Sequence, residues 1–175
     1  MKFAMAPGAA LAALFLIGGC GDAPGDSTVA APQQTSTALA RTELPRPPAI
    51  PDEATDAQAQ PLNDAGEIAS EISSNTMIER VPVNGGLAWR EDGEVVRTAS
   101  SDGSRIAYFH PGEDHPFLVQ RGGLAYALED GRAQLAYDSD GHPAPVSEAA
   151  RAEAARLAEQ SRREQEAAER AASRR

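Results

Sequence analysis

Gly85-Gly86-Leu87-Ala88-Trp89-Arg90-Glu91-Asp92-Gly93 recurs, 37 residues further along, as Gly122-Gly123-Leu124-Ala125-Tyr126 followed by Glu129-Asp130-Gly131. In each copy a Ser-Asp-Gly turn comes ten residues after the Glu-Asp-Gly turn, at Ser101-Asp102-Gly103 and at Ser139-Asp140-Gly141. An internal duplication is the simplest source of such a pattern. Asp-Gly between alternating apolar and polar residues takes the positive φ angles of a two-residue type I′ turn, whose twist matches that of the flanking strands. Four hairpins are therefore expected, at 92–93, 102–103, 130–131 and 140–141.

Side chains two apart on a strand share a face. On that rule Leu87 and Trp89, Ile106 and Tyr108, then Leu124, Tyr126 and Leu128, and finally Ala133, Leu135 and Tyr137, line one apolar side. Arg90, Arg105, Arg132 and Gln134 point outward. The expected fold is mainly β with helices, an α+β class: an antiparallel meander of about six short strands, ended by Pro143 and Pro145. A short helix over 65–73 has Asn63 or Asp64 as its N-cap and Ala65, Ile68, Ala69 and Ile72 on one face, and it covers one side of the sheet. Residues 63–146 form the small domain.

Composition shifts on both sides of it. The 29 residues of 147–175 hold ten Ala, seven Arg and six Glu, with Leu157 the one large apolar side chain. Ser147 is a good N-cap, and Glu159 with Arg163 and Glu166 with Arg170 are favourable pairs four apart. The tail reads as a polar helix that projects into solvent, its Ala150, Ala154, Leu157, Ser161 and Glu164 seam being weak for a coiled coil. Residues 20–62 read as a Pro/Ala/Ser/Thr-rich disordered tether, since 21–61 contain seven prolines and no aromatic residue. About 40 flexible residues span roughly 35 Å.

At the start of the chain, Lys2 precedes the short apolar run Ala9 to Ile17, too short to span a bilayer comfortably, and then Leu16-Ile17-Gly18-Gly19-Cys20. This segment resembles the lipobox of bacterial lipoproteins, with residues 1–19 as the signal peptide. The resemblance implies cleavage before Cys20, acylation of that cysteine, and attachment to the lipid bilayer, since several acyl chains on one residue hold firmly. Gly21 in place of Asp favours the outer over the inner membrane, with the domain facing the periplasm.

The chain carries 16 Lys+Arg against 26 Asp+Glu, a net charge of −10, and one cysteine. Without a basic tract it is not expected to bind nucleic acid, whose affinity comes from cations that neutralise phosphates. A single cysteine excludes an internal disulfide. No serine or cysteine stands in a recognisable nucleophile setting, so neither catalysis nor a cofactor is expected, and contact with an envelope protein is the leading role. The alternative is metal binding by the loop His110-Pro-Gly-Glu-Asp-His115, where His110, Glu113, Asp114 and His115 offer two imidazoles and two carboxylates suited to zinc or copper. Asp138-Ser139-Asp140-Gly141 opens like a calcium loop but lacks the later Gly and Glu of an EF-hand.

Overall fold

The computed structural model describes residues 44–174. Helix α1 (Asp56–Ser74) is followed by eight strands and helix α2 (Glu148–Ala172). The strands are β1 (Glu79–Val83), β2 (Gly86–Glu91), β3 (Glu94–Ser100), β4 (Arg105–Tyr108), β5 (Leu118–Arg121), β6 (Leu124–Glu129), β7 (Arg132–Tyr137) and β8 (Pro143–Pro145). They form one antiparallel meander in the order of the sequence. The α+β class and the meander are as expected, with eight strands rather than about six.

All four Asp-Gly pairs connect neighbouring strands, but only two are two-residue turns with both φ positive: Asp92 (49°) with Gly93 (97°), and Asp130 (50°) with Gly131 (74°). At 102–103 and 140–141 only the glycine is left-handed. There the aspartate side chain closes the turn instead: Asp102 Oδ1 accepts from Ser104 N–H at 3.0 Å, and Asp138 Oδ1 from the N–H groups of Asp140 and His142 at 2.9 Å each.

The duplicated hairpins also keep a matching irregularity. Trp89 pairs with Arg97 and Arg90 with Val95, leaving Val96 extra; Ala127 pairs with Leu135 and Leu128 with Ala133, leaving Gln134 extra. Each bulge thus lies the same distance from its turn. The second copy, however, has one more residue between its aromatic and its turn, so Ala127 occupies the place of Trp89 and Tyr126 faces the other way. A one-residue slip reverses the face of every side chain beyond it.

The single apolar side expected from alternation is therefore corrected to two buried faces. On one, Leu87, Trp89, Ile106, Tyr108, Ala125 and Tyr137 pack under α1 with its Leu62, Ala65, Ala69 and Ile72. On the other, Val95, Ala107, Val119, Tyr126, Leu128 and Ala133 pack under α2 with its Ala154, Leu157, Ala158 and Ala168. Leu135 lies partly buried at the first face. Leu124 is 48% exposed and belongs to neither.

Both helices differ from expectation in what they do. α1 begins at Asp56, not near Asn63, because Thr55 is its N-cap, its N–H donating to Gln58 Oε1 at 3.0 Å, and the helix runs through Pro61. The expected tether boundary at residue 62 is thus too late. Residues 56–62 are helical, Leu62 is 2% exposed, and Leu44 packs against the core. Residues 20–43 of the expected tether, the expected signal peptide and Cys20 lie outside the described residues.

α2 has the expected N-cap, Ser147 Oγ accepting from Ala150 N–H at 3.2 Å, but it does not project. It lies across the sheet. Arg105, expected to point outward, is 3% exposed and donates through Nη1 to Glu164 Oε2 at 2.9 Å and through Nη2 to Glu164 Oε1 at 2.5 Å. Arg105 Nη1 also reaches Ser161 Oγ at 3.2 Å. Alanines let the helix approach closely, and the Arg105–Glu164 pair supplies what its short side chains do not.

Candidate binding cleft

Three neighbouring strands set up the site. Trp89 on β2 pairs with Arg97 on β3, and Arg97 pairs with Tyr108 on β4. Directly opposed residues of an antiparallel sheet share a face, so the three side chains stand in a row toward α1. The Arg97 guanidinium carbon is 5.1 Å from the Trp89 ring centroid and 5.2 Å from that of Tyr108. Arg97 is 5% exposed, Trp89 4% and Tyr108 fully buried.

Over this row runs the proline-rich segment 44–51. Arg97 Nη2 donates to the Pro45 carbonyl at 3.3 Å, and Gln120 Nε2 on β5 donates to the Arg46 carbonyl at 3.2 Å. The far end of the segment rests on the last Asp-Gly turn, where a Cβ on Gly141 would come within 1.7 Å of the Ala49 carbonyl oxygen. The start of α1 is pinned by Tyr137, whose hydroxyl donates to the Gln58 carbonyl at 2.8 Å.

Between the segment, α1 and strands β2 and β3 lies a cleft of about 690 Å³, within the range that small ligands and peptide ends occupy. Its floor is apolar, with Leu62, Ala69, Ile72, Leu87 and Trp89; its α1 wall offers Asn63, Ser70 and Ser73. The charged residues lining it are Arg46, Arg80 and Arg97 against Glu67.

The electrostatics of Arg97 are one-sided. Burial pushes its guanidinium below its ordinary pKa, partly offset by the neighbouring Tyr108 hydroxyl. Burial likewise raises Tyr108, with Arg97 opposing the rise. The Pro45 carbonyl accepts one N–H of Arg97, and no ion pair of Arg97 occurs among the described residues. Arg97 Nε, Trp89 Nε1 and Tyr108 Oη are all buried without a hydrogen-bond partner among the described residues. Stacking on two rings recovers some ~2 kcal/mol or more, but a buried charge normally has a hydrogen-bonded counter-charge.

The loop that the alternative reading gave to a metal does not gather its donors among the described residues. His110 stacks on Phe117 with ring centroids 4.1 Å apart and planes 15° apart, and its Nε2 lies 3.9 Å from Asp64 Oδ2. His115 turns toward Gly131, where an added Cβ would be 3.4 Å from its Nδ1. Glu113 serves through its backbone, its N–H donating to the His110 carbonyl at 3.1 Å and its carbonyl accepting from Gln165 Nε2 at 2.8 Å. Asp114, like the other three, is exposed. Among the described residues, the group of three metal-ligating side chains with mutually close donor atoms is Asp138, Asp140 and His142 instead. There the Asp138 carboxylate is held below the usual carboxylate range chiefly by the His142 N–H, and it serves the turn.

Sequence reasoning identified Trp89 and Tyr108 as core residues but did not single out Arg97, and it read segment 44–51 as part of the tether rather than as packed on the sheet. The signal available was in Val95-Val96-Arg97-Thr98-Ala99, where two adjacent valines break the one-sided alternation of a half-exposed strand right beside an arginine. No family model, no curated protein and no solved structure matches this chain.

Proposed function

We propose that this chain is a non-catalytic lipoprotein of the bacterial envelope, anchored through an acylated Cys20, that binds a periplasmic protein partner in the cleft above Arg97. The observation that carries the binding role is the buried guanidinium of Arg97, without an ion-pair partner among the described residues, lining a cleft. The lipobox-like segment Leu16 to Cys20 supports the anchor, and Gly21 favours the outer membrane.

A binding role fits the chemistry of the cleft better than catalysis. Its cations are guanidiniums, which keep their protons at any physiological pH and so cannot exchange one. Glu67, the one carboxylate lining it, is exposed. Strand addition at the sheet edges is also disfavoured, because β1 contains Pro82 and β8 is Pro143-Ala144-Pro145.

The test is photo-crosslinking in cells with the full chain, placing the reactive residue at Ser70 on the cleft wall or at the exposed Arg132 on β7. The expected result is a discrete protein adduct from position 70 and none from 132, with the adduct weakened when Cys20→Ala frees the chain from the membrane. Equal adducts from both positions, or none from position 70, overturn the reading.

A further inference from the structure

We propose that the cleft captures a carboxylate on Arg97, specifically the C-terminal carboxylate of a partner polypeptide whose last residues are apolar. This inference rests on the binding reading above and names the chemistry that fills the site.

Arg97 presents a planar fork with N–H groups to spare, and a carboxylate is the anion that matches that fork with two parallel hydrogen bonds. Arg97 Nε, still without an acceptor, is on one edge of the fork. Trp89 Nε1, also unpartnered, adds a donor from the neighbouring strand.

Depth selects the shape of the ligand. Because Arg97 is 5% exposed, an acidic side chain on a flat protein surface cannot reach it, whereas a chain end can. The last side chains of that chain end must then lie on the apolar floor of Leu62, Ile72 and Leu87, with the polar peptide backbone against Asn63 and Ser70. A plain hydrocarbon acid would use the floor and leave that wall unmatched. Arg80 at the cleft adds attraction for a negative end.

Trp89 is the sole tryptophan of the chain and stacks on Arg97, so its fluorescence reports directly on the site. The experiment uses the full-length chain with Cys20→Ala, titrated with N-acetyl-Leu-Leu-Leu as the free acid, with the same peptide as its C-terminal amide, and with decanoate. A saturable Trp89 response to the acid is expected, at least tenfold weaker for the amide and for decanoate. Arg97→Met should erase the acid-over-amide preference. A second variant guards against misfolding: a Cβ at Gly66 meets nothing within 4 Å, so Gly66→Met extends into the cleft from an intact helix and should weaken the acid at least tenfold.

Equal responses to acid and amide, or no response to either, overturn the carboxylate assignment. Decanoate binding as tightly as the peptide acid overturns the chain-end assignment in favour of free organic acids. A specific cross-link at Ser70 combined with either result leaves the partner-binding reading standing while this inference falls.

Discussion

Arg105 and Glu164, 59 positions apart in the chain, meet in a two-pronged ion pair between β4 and α2, with side chains only 4% and 7% exposed. Burial raises the Glu164 carboxyl above its ordinary pKa, and the contacts from Arg105 pull it back. The pair fixes where α2 lies along the sheet. Removing one partner leaves a buried charge alone, whereas removing both leaves an apolar contact.

Glu164→Ala is accordingly expected to cost about 3–5 kcal/mol in urea denaturation, while the double change Arg105→Met with Glu164→Leu stays within about 1 kcal/mol of the parent or above it. A single change that costs nothing would mean that α2 is not held there.

Stopping the chain after Val146 tests the same packing more severely. Val95, Ala107, Val119 and Tyr126 lose their cover, so the truncated chain should lose its cooperative thermal transition. Within the full chain, Leu157→Ala, at a residue 1% exposed, should cost about 2–5 kcal/mol.

What the sequence revealed and what it hid have one physical root. Turn chemistry is local, so the Asp-Gly pairs, the meander, the Ser147 cap and the Glu159–Arg163 pair, found at 3.0 Å, were all legible. Facing is not local. One extra residue between Tyr126 and Asp130 reverses the alternation, which sent Trp89 and Tyr126 to opposite faces although they hold the same place in the repeat. Arg105 looked solvent-facing because its partner is a glutamate in a distant helix. The cleft was hidden for the same reason: segment 44–51 has the composition of a tether, and its tie to Arg97 is a single backbone carbonyl.

Gly141 is where that segment can be displaced. Its φ of +83° already disfavours any side chain, and a Cβ would strike the Ala49 carbonyl oxygen. Gly141→Ala should destabilise the fold by more than about 1 kcal/mol. It should also expose residues 44–55 to limited proteolysis, read by mass spectrometry, before the sheet itself is cut.

Asp102 gives a pH signature. The Ser100 hydroxyl, then the N–H and hydroxyl of Ser104, hold its carboxyl down at about 2. The unfolded value is about 3.9, so the folded state binds its proton less tightly. The resulting stability is present above the unfolded value and is lost as pH falls through about 2. Asp102 is exposed, and solvent screening limits the effect to about 1 kcal/mol or less. Denaturation of the parent and Asp102→Ala from pH 6 to pH 2 should show a difference that shrinks steadily toward the acid end.

The most direct measurement is the side-chain Nε–H resonance of Arg97 in a proton–nitrogen correlation spectrum, assigned by its loss in Arg97→Met. Without ligand it should exchange slowly with water, as a buried donor does, and it should move on addition of N-acetyl-Leu-Leu-Leu acid and stay still with the amide. An Arg97 signal that exchanges freely, or that ignores the acid while another arginine responds, would contradict the account.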